Sequence, residues 1–332
     1  MPSDKPRRFE MVPGKREQVP VLVGLCGPSG SGKTFSALRV AEGIRQVTGG
    51  DIAVIDTEAR RALHYAEMFT FHYIGFEPPH GSLDYLAAIR SAAEQGARVI
   101  VVDSMSHEHE GEGGLLELHE SEVTRLAGND FRKREAVKML AWSLPKQNRR
   151  RLINGILQVK AHFVFCFRAK STSRPVKREG KTVVEQMGFV PITGEELPFE
   201  MTLNAILPPG SGGVPDWSPQ YPGERMMVKL PAQFRDLLRK RDAPLDEEVG
   251  RQLAEWAKGS DAGADAGPAP TRSRSGYDEP LGFGPFAETT WRQLVEGAEG
   301  EAGHHYLRSL AEGADGDEAT RLRAAKCVEK LG

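Results

Sequence analysis

Residues 27–34 read GPSGSGKT. Gly27, four intervening residues and then Gly32-Lys33-Thr34 satisfy the phosphate-loop pattern G-x-x-x-x-G-K-[ST]. The flanks suit it. An apolar, strand-like run, VPVLVGLCG (19–27), enters the loop, and a helical pattern, SGKTFSALRVAEGIRQV, leaves it. Glycines allow backbone conformations closed to other residues, so successive N–H groups can turn inward onto phosphate oxygens. The helix that follows adds its positive N-terminal end. All eight residues, Gly27, Pro28, Ser29, Gly30, Ser31, Gly32, Lys33 and Thr34, are therefore candidate contacts to a nucleoside triphosphate, with ATP and Mg²⁺ as the expected ligands. Lys33 is expected to reach the β- and γ-phosphates and Thr34 to ligate the metal.

Further runs of the same kind follow. DIAVIDTE (51–58), ARVIVVDS (97–104) and AHFVFCFRAK (161–170) read as strands, as do MTLNAILPP (201–209) and ERMMVKLP (224–231). Strands alternating with helical patterns predict an α/β fold with a mostly parallel central sheet covered on both faces. PLDEEVGRQLAEWAKG (244–259) reads as a final amphipathic helix ended by Gly259. Residues 1–18 form a basic arm before this 19–259 core. Residues 260–284, rich in Gly, Ala, Ser and Pro, read as a flexible linker. Residues 285–332 regain helical periodicity and predict a small helical module, a candidate docking point for a protein partner.

The bulk numbers exclude little. Of 332 residues, 44 are basic and 46 acidic, so the overall balance does not announce a polyanion partner. Cys26, Cys166 and Cys327 lack metal-ligand spacing and read as reduced, buried thiols. No apolar run approaches the ~18–20 residues of a membrane helix, and the N-terminus lacks a signal-type apolar region, so a soluble cytoplasmic protein is expected.

Asp103 ends the aliphatic run VIVVD, where a Walker-B carboxylate would sit beside the metal. Two carboxylates compete to orient an attacking water. Glu58 projects from the end of the second strand, at the sheet edge where ligands of such folds bind. Glu108 lies five residues beyond Asp103 in SMSHEHEGEGG, with a solvated loop acid as its plain alternative. The nearby His107, His109 and His119 make a poor metal site.

Segment 132–181 concentrates charge, with fifteen basic residues against Glu135 and Glu179. A local balance of +13 in a chain of net −2 is a polyanion footprint. KQNRRR (146–151) reads as capping a helix and contributes Arg149, Arg150 and Arg151, either as nucleic-acid contacts or as a solvated helix face. KSTSRPVKREGK (170–181) reads as a mobile basic loop offering Lys170, Arg174, Lys177, Arg178 and Lys181 to DNA. Phe131 and Trp142 flank the basic run, either to stack on bases or to fill a core. Acids at 108–122 precede it, a bipolar layout that would suit head-to-tail association of subunits.

In that order and spacing, GPSGSGKT, VIDTE, VIVVDS and HFVFCFRAK resemble the ATPase core of RecA-like recombinases. They also resemble short phage-encoded RecA-like ATPases, some of which anneal single strands. The resemblance spans about residues 19–235. It implies a RecA-like P-loop ATPase, forming rings or filaments, that acts on single-stranded DNA in phage recombination. It favours Glu58 over Glu108 as the carboxylate that polarises water. It places Tyr65 where an adenine-stacking tyrosine stands, with a core aromatic as the alternative. Arg168 falls where RecA carries a γ-phosphate-sensing glutamine, a departure that would instead supply an internal arginine to the transition state, with Lys170 a further candidate. It would also let Phe9 of the arm dock on a neighbouring subunit. The competing functional reading is an NTP-driven motor or helicase-loader-type ATPase that remodels DNA or protein.

Overall fold

The computed structural model describes residues 11, 19–178, 181–194, 196–238, 242–259, 281, 285–286, 289–296, 300–312 and 318–328. The basic arm with Phe9, apart from Met11, and the 260–284 linker, apart from Leu281, lie outside the described residues. So does the side chain of Arg178. The chain divides into two compact units, 1–260 and 261–332.

The first unit begins with β1 (Leu22–Gly27), α1 (Lys33–Thr48), β2 (Asp51–Asp56), β3 (His72–Gly75), α2 (Ser82–Glu94) and β4 (Ala97–Asp103). Four helices follow: α3 (His107–Glu110), α4 (Leu115–Ala127), α5 (Phe131–Ala141) and α6 (Ser143–Gln158). It continues through β5 (His162–Arg178), β6 (Lys181–Pro191), α7 (Glu196–Glu200), β7 (Leu203–Ile206), α8 (Pro222–Met227), α9 (Arg235–Leu238) and α10 (Glu247–Lys258).

The sheet runs β3-β2-β4-β5-β1-β7, every one of these pairings parallel, and β6 pairs antiparallel with the outer half of β5. Alternate side chains of one strand serve opposite faces. Val21, Val23 and Leu25 join Val54, Val99, Val101 and Val164 in one core beneath α1 and α10. Leu22 and Cys26 join Ile55, Ile100, Val102, Phe163 and Phe165 in the other, beneath α2 and α6. Burial on both faces explains the unbroken aliphatic runs in the sequence.

Helix α10 is fastened to α1 by backbone contact. A Cβ on Gly43 would lie 1.9 Å from the Glu247 carbonyl oxygen, and one on Gly250 would lie 2.1 Å from that of Val40. Two glycines thus let the helices touch, and the Arg39 Nη2–Glu247 Oε2 contact at 2.6 Å closes the seam. Gly259 ends α10 as expected, and Asp246 Oδ1 caps its start by accepting from the N–H groups of Glu248 and Val249.

Three expectations need correction. ERMMVKLP is not a strand: Pro222 at the first helical turn starts α8, and only Lys229 bridges to Asn204. Within KSTSRPVKREGK, residues 170–178 are strand rather than loop, Ala169 to Arg178 pairing with Lys181 to Pro191; Glu179 and Gly180 lie outside the described residues. The β-branched residues of TVVEQMGFV on the returning strand supply the pairing partner that the basic run conceals. KQNRRR lies within α6 rather than at its end. The short edge strand β3 carries little sequence signal.

The second unit contains α11 (Trp291–Val295), α12 (Gly300–Ala311) and α13 (Glu318–Val328) around a core of Trp291, Leu294, Leu307, Leu310, Ala324 and Cys327. Thr290 and Gln293 form a reciprocal capping box at α11. All three cysteines are free and buried. No described helix is long and apolar enough to cross a membrane.

Candidate functional site

The site follows from strand register. Gly27 on β1 pairs with Arg168 on β5, Cys166 on β5 pairs with Asp103 on β4, and Asp103 pairs with Asp56 on β2. The residues that end β1, β4 and β2 therefore meet Arg168 along one carboxyl edge of the parallel sheet. The loop 28–32 curls over it, with Gly30 at φ 79° and Gly32 at φ 91°. A Cβ on Gly32 would sit 2.6 Å from the Gly213 nitrogen, so Gly32 also admits the 208–213 loop, whose Gly213 N–H donates to the Ser31 carbonyl at 2.9 Å.

Three donors converge there. Lys33 arches back so that Nζ donates to the Pro28 carbonyl at 2.8 Å. Helix α1 begins at Gly32 without a side-chain cap, leaving first-turn N–H groups turned to the loop. The Ser31 hydroxyl is buried without a hydrogen-bond partner among the described residues. Such a donor-rich cradle fits phosphate oxygens. Thr34 Oγ1 donates to Asp103 Oδ2 at 2.5 Å. Burial pushes the Asp103 carboxyl up to about 6; Thr34 and Lys33 pull it down, and Glu58 and Asp56 push it up. A divalent cation beside it would reverse that shift, so the Thr34–Asp103 pair fits Mg²⁺.

Beyond β2 the chain turns through two non-glycine residues in the left-handed region, Ala59 (φ 54°) and Arg60 (φ 67°). Both carboxylate oxygens of Asp56 hold this costly turn, accepting from the Glu58 N–H at 2.6 Å and the Ala62 N–H at 3.0 Å. The turn presents Glu58, whose side chain is 9% exposed. The Arg168 guanidinium grips it as a fork, Nε to Oε1 at 2.5 Å and Nη2 to Oε2. Burial raises the Glu58 carboxyl, but Arg168, His107 and Arg61 outweigh it and hold the group below the ordinary value.

A buried hydroxyl network ties β2 to β4. Thr57 Oγ1 donates to the Ser104 carbonyl at 3.1 Å and accepts from the Ser104 N–H at 2.8 Å. His107 Nδ1 lies 2.8 Å from Thr57 Oγ1, within hydrogen-bond distance. Tyr85 Oη donates to the Ser104 carbonyl from below, at 2.7 Å. The sequence singled out neither Asp56 nor Thr57 for these roles; a carboxylate two residues before a turn residue is the signal that marks the first.

The rival carboxylate is engaged elsewhere. Glu108, 2% exposed, accepts from Ser82 Oγ at 2.5 Å and pairs with Arg149, itself 8% exposed. Glu108 is therefore not a solvated loop acid, and Arg149 is no free surface charge: the amphipathic α6 turns it inward onto Glu108 while Arg150 and Arg151 stay exposed. Breaking a buried pair leaves an uncompensated charge, so Arg149→Ala is expected to cost ~3–5 kcal/mol. Arg150→Ala should stay within ~0.5 kcal/mol. Equal denaturation midpoints for the two variants would contradict the buried pair.

Tyr65 ends a 3₁₀ turn, half-buried, its ring 5.8 Å from that of Phe35, the residue after Thr34. It belongs to the core margin and stands next to the loop as well. On the hairpin, Lys170 approaches Glu110 at 3.5 Å, Arg174 faces Glu185 across the strands, and Lys177 and Lys181 are exposed. Several acids of 108–122 are paired within the chain, Glu120 with Arg134 and Glu122 with Arg125. That leaves less free charge for a neighbouring subunit. No group of three or more His, Cys, Asp or Glu side chains suited to a metal occurs among the described residues.

No protein-family model matches this chain, and no curated protein matches it significantly.

Proposed function

We propose that the chain is a RecA-like P-loop ATPase that hydrolyses ATP with Mg²⁺ and acts on single-stranded DNA, annealing or pairing strands in phage recombination. The observation that carries this reading is the shared sheet edge. Lys33 and Thr34 on the first turn of α1, Glu58 just after β2, Asp103 at the end of β4 and Arg168 on β5 reach one place.

In this reading the loop N–H groups and Lys33 bind the triphosphate, and Thr34 and Asp103 hold the metal. Bound Mg²⁺ would neutralise charge on the phosphate oxygens. Glu58 orients a water and takes its proton. Arg168 is close enough to Glu58 to serve either it or a γ-phosphoryl group, but its fork cannot grip both fully. The resting pair thus holds Glu58 until Arg168 is drawn away.

The basic hairpin and the outer face of α6 support a polyanion partner. The test is steady-state phosphate release from ATP and Mg²⁺, with single-stranded DNA present and absent. Stimulation by single strands is expected; stimulation by duplex alone would favour the motor reading.

A further inference from the structure

Between α4, α6 and α7 lies a cavity of about 340 Å³ that the ATP site does not use. Its size is at the lower end of ligand pockets, ~300–1,000 Å³. Leu115, Trp142 and Phe199 give it apolar and aromatic walls, His109 and Arg149 line it as well, Lys146 contributes a cation and Glu196 a carboxylate. The Arg149 charge is neutralised by Glu108, with Glu196 at 3.9 Å. Lys146 is exposed and makes no ion pair among the described residues. Trp142, Lys146 and Arg150 recur at four-residue spacing, which places them along one helix face. The Trp142 indole is fixed in orientation by His119, stacked at 4.0 Å between ring centroids and 19° between planes.

The surrounding surface is apolar and basic together. Phe131 (80% exposed) and Met139 (81%) stand on α5 with the exposed Arg132 and Lys133, while Lys138 is paired with Glu135 at 2.6 Å. Phe131 is therefore no core residue. Aromatic platforms beside unpaired cations are how proteins grip single strands, since every base offers a π-face and every nucleotide a charge. An apolar protein partner would have no use for the density of positive charge here.

We propose that this cavity receives one unstacked base of a single-stranded nucleic acid, with the adjoining phosphates running past Lys146 and Arg150. This rests on the single-strand reading above and adds a base site to it. The occupant must be unpaired, because the walls would have to enclose a base that a duplex keeps stacked.

The test is fluorescence anisotropy of the full chain with a labelled oligothymidylate and, separately, with a labelled duplex, over a range of salt. Trp142→Ala is expected to weaken single-strand binding about tenfold and to leave duplex binding unchanged. Trp142→Phe should restore most of the loss. Lys146→Gln, on an exposed side chain whose loss cannot unfold the chain, should lower the slope of log K against log salt by about 0.7. If the wild type binds single strands and neither Trp142→Ala nor Lys146→Gln alters that binding, the base site is overturned and the single-strand reading stands. An equal loss on duplex in Trp142→Ala overturns it too. A wild type that binds no single strand overturns the reading itself.

Discussion

Glu58→Gln is expected to bind ATP as the wild type does and to hydrolyse it ~10²–10⁴-fold more slowly, the scale of a lost general base. Glutamine keeps the shape of the side chain and can still accept a hydrogen bond from Arg168, but it cannot take a proton from water. Glu58 alone among the two candidates stands at the sheet edge, on a turn that Asp56 holds in a left-handed conformation. Glu108→Gln should instead leave turnover near the wild-type value and lower the stability of the fold, because its carboxylate neutralises the buried Arg149. Phosphate release measured beside ATP binding separates the two. Hydrolysis lost in Glu108→Gln and kept in Glu58→Gln would reverse the assignment.

Arg168→Ala is expected to slow hydrolysis by ~10³-fold or more, the effect of losing an arginine aimed at the transferring phosphoryl group. A second consequence concerns pH. Burial raises the Glu58 carboxyl, and the Arg168 fork is the largest influence opposing it. Without Arg168 the burial effect is left less opposed, so Glu58 loses its proton at higher pH and residual turnover should climb with pH over a higher range than in the wild type. The stability cost should be modest, about 1 kcal/mol, since the Arg168 side chain is 40% exposed and water screens the pair. Arg168→Lys keeps the charge without the two-pronged grip and should recover only part of the rate. Turnover faster than wild type in Arg168→Ala would mean that Arg168 only restrains Glu58 and gives nothing to the reaction.

What the sequence made legible was local and periodic. GPSGSGKT, the aliphatic strands and the Gly259 end of α10 depend on neighbours within a few residues, and the parallel sheet follows from their alternation with helices. Long-range pairing was hidden. Arg149 looks identical to Arg150 and Arg151 in KQNRRR, and only the face of α6 that meets Glu108 distinguishes it. Glu108 itself sits among glycines and histidines that read as a solvated loop, yet Ser82, twenty-six residues away, closes over it. The basic hairpin read as a loop because its charges and Pro175 mask a strand that exists only by pairing with 181–191. The 208–213 loop was passed over because its glycines matter through their approach to Gly32, a contact that no local pattern records.

The most direct test of the account is ATP hydrolysis by the wild type and by Lys33→Ala, each with Mg²⁺ and with single-stranded DNA present or absent. The prediction is turnover in the wild type, faster with single strands, and loss of both in Lys33→Ala, whose side chain is the cation held within the loop. Undiminished hydrolysis in Lys33→Ala would contradict the assignment of residues 27–34 as the triphosphate site.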